Sequence, residues 1–318
     1  SSSWILDNVI NNNGGLYGRV TYEMKLLPFT LSECEEYFNA NSIVLSRYDI
    51  AQAYMMLGGI PFYLKQFERE LSLAQNIDEL FFSGKAKLKD EYERLFSSQF
   101  SNSETMMKII NAIGTKNMGL TRKEIVSKTK IADSGEFSKQ LKALIAGSFI
   151  IKYASFGNGK REDYYKLVDP FCLFYLHFIN GNASKKINWI NISDSAKVST
   201  WRGYAFENVC WNHIPQIKKA LGISGVVTSE SLWSKRATDE SDGTQIDLII
   251  ERKDNVVNMC EIKFYSEDFA VNKDYHFILE RRRRLLNELI PKKSTIYNTL
   301  ITTYGLKHNE YFGDFVNI

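Results

Sequence analysis

Two short apolar runs separated by a polar turn constrain this chain more than any other feature of its sequence. The runs extend from Ile246 to Ile250 and from Val256 to Phe264, and the turn between them is Glu251-Arg-Lys-Asp-Asn255. Such a pattern predicts a β-hairpin. Both strands are apolar on both faces, which is typical of central strands covered on two sides. We therefore expect this hairpin in the middle of a buried sheet.

Three charged residues interrupt the apolar hairpin. If the turn centres on Asp254, Asp247 lies directly opposite Glu261, and opposed residues place their Cβ atoms about 5 Å apart. Lys263 leaves the same face of its strand as Glu261, because it lies two residues further on. Charges that converge in an apolar layer are costly unless they bind something. The sequence thus predicts a binding site at these three residues.

A divalent metal ion together with a phosphate ester would satisfy the three charges. Two carboxylates and a backbone carbonyl, here that of Ile262, are oxygen ligands that suit Mg²⁺, with Mn²⁺ as the alternative ion. The metal would lower the pKa of a bound water. Lys263 would orient that water and stabilise charge developing on phosphorus. We accordingly assign catalytic roles to Asp247, Glu261 and Lys263.

Asp247 and Glu261-Ile-Lys263, with a glutamate on an upstream helix, resemble the motif of the PD-(D/E)xK nuclease superfamily. Glu207 fits the place of that glutamate, because on a helix it shares a small or apolar stripe with Gly203 and Cys210 and would point inward. The resemblance implies an α/β restriction-endonuclease-like domain with a central mixed sheet, in which Glu207, Asp247 and Glu261 hold the metal. A buried ion pair in a related fold without activity is the alternative, since a fold does not fix a function.

Composition narrows the remaining classes of function. The 318 residues suggest two or three domains. A net charge of +3 permits nucleic-acid binding without demanding it. The four cysteines form no zinc pattern and indicate a reducing compartment. The longest strongly apolar run, Phe171 to Ile179, is too short to cross a bilayer. We expect a cytoplasmic protein without a membrane partner.

The start of the chain carries a second set of motifs. They are the serine-rich segment Ser1 to Trp4, the pair Gly18-Arg19, an alternating strand over Val20–Leu27 that ends at Pro28-Phe29, and Leu57-Gly-Gly-Ile-Pro-Phe-Tyr-Leu64. Together they resemble the second half of a prokaryotic P-loop ATPase module of the AAA/STAND type, found in archaea and bacteria. The resemblance implies a helical lid, a nucleotide-phosphate contact by Arg19 and homo-oligomerisation through the module.

One motif of that family does not occur in the sequence. No Gly-x-x-x-x-Gly-Lys-Ser/Thr is present in the 318 residues, and this loop supplies the backbone cradle and the lysine that hold phosphates. We read the chain as the part that follows the Walker motifs. ATP is therefore expected as a cofactor only in a chain that includes the loop.

A further set of elements lies between residues 104 and 168. An apolar helix is predicted near Met106 to Ile113. The capping box Thr121-Arg-Lys-Glu124 begins a second helix, and a third follows from Glu136 to Gly147. Two strands, 149–153 and 163–168, then flank a polar turn. Three helices followed by a hairpin predict a winged helix. Lys139 and Lys142 are expected to lie with Gln140 on the exposed side of the third helix. The residues predicted to contact nucleic-acid phosphates are Lys139, Lys142, Lys160, Arg161 and, in a later helix, Arg282.

These patterns predict an α+β multidomain chain. Residues 1–103 would be the ATPase part with its helical lid, 104–180 the winged helix, and 181–318 the nuclease-like domain. The expected function is a Mg²⁺-dependent nuclease-like action on nucleic acid under the control of an ATPase. One alternative is a non-catalytic, nucleotide-gated switch that binds DNA or protein through a degenerate nuclease fold. Another is a sequence-specific regulator that uses the winged helix alone.

Overall fold

The computed structural model describes residues 21–22, 24–157, 163–181, 188–235 and 243–318, and these form a mixed α/β structure. The chain divides into two compact units. The first unit comprises residues 1–152 and 165–200, and the second comprises residues 153–164 and 201–318. The predicted boundaries near residues 103 and 180 divide the chain more finely and stay predictions.

The first unit opens with helices, numbered here in the order of the described residues. Their bounds are α1 Leu31–Ala40, α2 Arg47–Leu57, α3 Pro61–Leu64, α4 Leu73–Ile77 with a π-helical turn Asp78–Phe82, and α5 Glu91–Gln99. Helix α1 begins at a capping box in which the Thr30 and Glu33 side chains each accept from the other's backbone N–H. Helix α2 ends at Gly58, whose φ of +64° suits glycine. A Cβ at Gly59 would lie 1.9 Å from the carbonyl oxygen of Phe29, so this close approach also requires glycine.

The strand predicted over Val20–Leu27 is wrong for its described residues. Residues 21, 22 and 24–27 adopt no strand, and the side chains of Tyr22, Met24 and Leu26 are exposed. An alternating pattern fits a strand only where a neighbouring strand accepts its N–H and C=O groups. Among the described residues this segment has no such neighbour.

The three helices and two strands predicted between residues 104 and 168 form in the expected order. They are α6 Ser103–Ile113, the two-residue strand β1 Leu120–Thr121, α7 Arg122–Thr129, α8 Gly135–Ala146, β2 Ile150–Ala154 and β3 Asp163–Leu167. The strands form a sheet in the order β1-β3-β2. The capping box at Thr121 and Glu124 is present. Gln140 was predicted on the exposed side of α8, but it is buried with Phe137 and Leu141.

An aromatic core closes the first unit. Helix α9 Pro170–Phe174 continues as a π-helical turn Tyr175–Ile179, and the short helix α10 Trp189–Ile192 follows. Trp189 lies against Phe174 and Phe178 with ring centroids 5.2 and 5.1 Å away, and its backbone N–H donates to the Asp78 carboxylate. Trp189 is therefore a core residue of the first unit.

The second unit is built on a four-stranded mixed sheet. Its elements are helix α11 Ala196–Asn212, of which residues 201–212 belong to this unit, α12 Ile214–Ala220, β4 Thr228–Lys235, β5 Thr244–Arg252, β6 Val256–Lys263, α13 Lys273–Asn287 and β7 Thr295–Thr302. The strand order is β4-β5-β6-β7. The first three strands are antiparallel neighbours, and β7 runs parallel to β6. Parallel neighbours need a crossover connection, which α13 provides here.

The core of the second unit lies between this sheet and α13. Val257 and Met259 of β6 pack in one cluster with Leu279 and Leu286 of α13. Because side chains alternate along a strand, Glu261 leaves the same face as these two β6 residues. Helix α13 thus covers the face of the sheet that carries Glu261. In the described ranges, no helix combines the length and apolar character that crossing a membrane requires.

Candidate functional site

The β5–β6 hairpin brings the two predicted carboxylates together. Leu248 pairs with Cys260, so Asp247 and Glu261 occupy the next opposed position, as the turn centred on Asp254 predicts. Asn255 takes a positive φ of 63° in this turn, a conformation that asparagine tolerates. The register of the hairpin is therefore confirmed.

A β-bulge lies at the same place on the other side of β5. The β4–β5 register changes between Ser231 and Trp233, so that Asp247 and Leu248 together oppose the single residue Leu232. A bulge bends the strand locally and redirects its side chains. The Asp247 carboxylate accepts a hydrogen bond from the backbone N–H of Ile262, 3.2 Å away on the neighbouring strand.

Asp247 is held in an environment that disfavours its charge. Only 9% of the residue is exposed. Burial raises its pKa from the usual 3.8 to about 6, and repulsion from Glu261 adds to this effect. Lys263, the N–H of Ile262 and Arg282 act in the opposite direction without cancelling it. The two carboxylates are therefore close enough to repel each other.

Glu261 is fully buried, and three partners contact it among the residues that the structure describes. The Tyr275 hydroxyl donates to its Oε2 at 2.5 Å, and the Arg282 guanidinium pairs with its Oε1. The Lys263 Nζ lies 3.5 Å from Oε2. A buried carboxylate with donors on both oxygens is well satisfied. Burial and the nearby Glu261 charge raise the pKa of Tyr275, so its hydroxyl keeps the proton that it donates.

Lys263 connects this buried group with the solvent. Its side chain is 23% exposed, whereas that of Glu261 is fully buried. Its ammonium also lies 5.2 Å from the centre of the Tyr275 ring, a distance at which an aromatic face attracts a cation. A side chain placed in this way can reach a ligand that approaches from outside the sheet.

Two partners of Glu261, Tyr275 and Arg282, come from helix α13. Arg282 was predicted to contact nucleic acid, yet its side chain is only 15% exposed and pairs with Glu261. Its Nε also donates to the Thr244 hydroxyl at 3.1 Å. Burial lowers the pKa of Arg282, but attraction from Glu261 outweighs burial and the pKa is raised overall. The signal was present: Tyr275, Leu279, Arg282 and Leu286 share one helical stripe.

Glu207 lies on α11 and is buried, as its stripe predicts. Burial raises the pKa of Cys210 on the same helix, with further contributions from Glu207, Cys260 and Asp247. This places Cys210 near Cys260, whose side chain leaves β6 on the face opposite to that of Glu261. Among the described residues, no three His, Cys, Asp or Glu side chains form a group that could hold a metal. The structure thus joins Asp247 with Glu261 but does not bring Glu207 into a three-ligand set with them.

The structure describes two of the other residues predicted to contact nucleic acid or nucleotide. Lys139 and Lys142 are exposed on α8. Arg19, Lys160 and Arg161 lie outside the described residues.

The oxygen donors at the hairpin fit a hard divalent cation. Mg²⁺ is usually bound by one or two protein carboxylates and retains several waters, and Asp247 and Glu261 supply two. The N–H and C=O of one strand residue point toward the same neighbour, so the Ile262 carbonyl lies on the side of Asp247. The Arg282 contact to Glu261 engages one of the oxygens that a cation would use.

Comparison with known proteins finds a distant relative of this chain. No family model matches the chain. A protein of Methanocaldococcus jannaschii, itself uncharacterised, is 24% identical over 289 residues, which cover 89% of this chain and 62% of that protein. The chain thus spans less than two thirds of the length of the relative that it matches. The aligned residues extend over both units, and because the relative is uncharacterised, the similarity does not indicate an activity.

Proposed function

We propose that the second unit is a metal-dependent phosphodiesterase with a nuclease-like fold that resembles the PD-(D/E)xK superfamily. One observation carries the proposal: Asp247 and Glu261 are opposed on neighbouring strands, with Lys263 beside Glu261 and partly exposed. Burial and, in addition, repulsion from Glu261 raise the pKa of Asp247. A cation between the two carboxylates would therefore be stabilising.

Each residue has a distinct role in this proposal. Asp247 and Glu261 would hold Mg²⁺ or Mn²⁺, and the ion would supply a water of lowered pKa and screening of the phosphate charge. Lys263 orients the attacking water and stabilises charge on phosphorus from the solvent side. Tyr275 holds Glu261 in place through its hydroxyl. Glu207 remains a candidate for an outer carboxylate, because it is buried on α11.

The rest of the chain would deliver nucleic acid to this centre. Helices α6 to α8 with β2 and β3 would form a winged helix, and the exposed Lys139 and Lys142 on α8 suit backbone phosphates. The preceding helices would be the lid part of an ATPase module. In a longer protein that contains the phosphate-binding loop, nucleotide bound to this module would control cleavage. Copies of the protein would associate through the same module. Sequence resemblance supports this part of the proposal.

Removal of the Lys263 ammonium tests the catalytic role. Lys263→Ala is expected to lower Mg²⁺-dependent cleavage of a fluorescent DNA duplex by about a hundredfold or more, the usual cost of losing a transition-state contact. The control is Lys253→Ala, which removes the same charge from the exposed turn of the same hairpin. Equal cleavage by wild type and Lys263→Ala would contradict the proposal, as would a wild type without metal-dependent cleavage.

A non-catalytic role for the site is the second candidate. It is favoured by the Arg282–Glu261 ion pair and the Tyr275 hydrogen bond, which satisfy Glu261 without a metal. In this reading the charges hold α13 to the sheet and the unit binds DNA or protein. Thermal melting with and without Mg²⁺ distinguishes the two candidates, because only a metal site is stabilised by the ion through mass action.

A further inference from the structure

A cleft in the second unit lies between the C-terminal half of α13 and the start of β7. Its volume is about 390 Å³. Polar groups line most of it, namely the side chains of Glu280, Arg283, Arg284, Asn287, Ser294 and Thr295. Two guanidinium groups beside two hydroxyls and an amide are groups that hydrogen-bond phosphate oxygens.

We propose that this cleft binds a backbone phosphate of nucleic acid, at a distance from the Asp247–Glu261 centre. The inference rests on the proposed function in one respect, since it takes the substrate of that centre to be a long nucleic acid. It assigns the residues that fix the position of the duplex, whereas the hairpin would carry the chemistry.

The charges around the cleft support an anionic ligand. Residues 281–293 contain four arginines and two lysines against the single acid Glu288, although the whole chain carries only +3. Arg282 is neutralised by Glu261. Arg283 and Arg284 are exposed and make no ion pair with any described residue, so their charges are available to a ligand. Glu280 is the one acid in the lining and does not cancel them.

The arginines themselves must provide the attraction. The cleft lies near the C-terminal end of α13, where a helix carries partial negative charge. The backbone therefore does not favour an anion here, in contrast to a helix N-terminus. Replacing the two arginines should consequently remove most of the affinity of the cleft.

The register of the sheet gives the spacing between the cleft and the reaction centre. Thr295 pairs with Val256, and Leu300 pairs with Glu261. Five residues of a strand span about 17 Å. Phosphates in one strand of a duplex recur about every 3.4 Å along its axis, so this spacing corresponds to roughly five base pairs. The cleft would thus hold the backbone about half a helical turn from the bond that is cut.

Salt-dependent binding tests the proposal. The double variant Arg283→Ala with Arg284→Ala and the wild type would be titrated onto a fluorescein-labelled duplex of about 30 base pairs, in EDTA, at several salt concentrations. If the two arginines together neutralise the one phosphate that the cleft binds, the slope of log affinity against log salt becomes less steep by about 0.9 when both are replaced by alanine. The charge-keeping variant Arg283→Lys with Arg284→Lys should retain most of the wild-type slope. Lys85→Ala with Lys89→Ala removes two exposed charges from the first unit and serves as the matched control.

The outcomes separate this proposal from the proposed function. An unchanged slope in the arginine-to-alanine variant overturns the cleft as a phosphate site, even if the wild type cleaves DNA with Mg²⁺. An equal loss of slope in the Lys85/Lys89 control also overturns it, because the effect would then reflect overall charge. A selective loss of slope in a protein that shows no cleavage supports the cleft and leaves the phosphodiesterase proposal without support.

Discussion

Replacing Asp247 with asparagine should stabilise the metal-free protein above pH 6. The pKa of Asp247 is raised from 3.8 to about 6 by burial and by repulsion from Glu261, and a tenfold change in proton affinity corresponds to about 1.4 kcal/mol. The ionised side chain therefore reduces the free energy of unfolding by roughly 3 kcal/mol at pH 8. Asparagine removes the charge, and its amide oxygen can still accept the N–H of Ile262.

The sign of the pH dependence follows from the direction in which folding moves the pKa of Asp247. Below about pH 4, aspartic acid is protonated in both the folded and the unfolded chain, and the cost is absent. Between pH 4 and 6 the unfolded chain loses its proton first, so the folded state binds more protons and its stability falls as pH rises. Above pH 6 the cost is complete. Wild type and Asp247→Asn should therefore diverge across this window.

Urea unfolding at pH 4, 5, 6 and 8 in EDTA measures the difference. Asp254→Asn is a control of opposite sign, because its hydrogen bond with Arg252 lowers the pKa of that exposed carboxyl. Relative to wild type, Asp254→Asn should lose more stability at pH 8 than at pH 4, whereas Asp247→Asn should be more stable than wild type at pH 8. A constant difference between Asp247→Asn and wild type at all four pH values would refute the argument, as would a loss at pH 8.

Two further predictions concern the ion pair and the nucleotide. Arg282→Gln should lower the free energy of unfolding by about 3–5 kcal/mol, because it leaves the buried Glu261 with less compensating charge. Arg283→Gln, on the exposed side of the helix, should change the free energy of unfolding by less than about 0.5 kcal/mol. Equal effects of the two variants in urea titrations would contradict the assignment of Arg282 to the interior. The 318 residues should bind ATP weakly or not at all, because the phosphate-binding loop is absent from the sequence; tight, Mg²⁺-dependent binding in calorimetry would contradict this reading.

The hairpin site could be predicted because its geometry is local. A turn centred on Asp254 fixes which residues face each other, and the two-residue period then places Lys263 beside Glu261. The partners on α13 could not be assigned in the same way. Among the four consecutive arginines from Arg281 to Arg284, the stripe shared with Leu279 and Leu286 predicts that Arg282 faces inward. The stripe does not show which strand residue Arg282 meets, because the packing of α13 on the sheet decides that its partner is Glu261.

The wrong strand near residue 20 shows the limit of such patterns. Alternation of apolar residues from Tyr22 to Leu26 is a local property, but a strand exists only when another strand pairs with it. The burial of Gln140 has a related cause. Gln140 lies three residues after Phe137 and one before Leu141, at the edge of the apolar stripe of α8. Which residues at that edge are buried depends on the elements that pack against α8, and the sequence of the helix alone does not identify them.

The parallel pairing of β6 and β7 has a consequence for the order in which the second unit folds. The hairpin of β5 and β6 closes over a short turn, whereas Val256 pairs with Thr295 across the long connection that contains α13. Short closures precede long ones, because less chain entropy is lost. Asp247 and Glu261 would thus come together before Arg282 and Tyr275 reach them. Repulsion between the two carboxylates would then destabilise the isolated hairpin. The hairpin would gain its full stability only when α13 docks and Arg282 supplies the opposite charge.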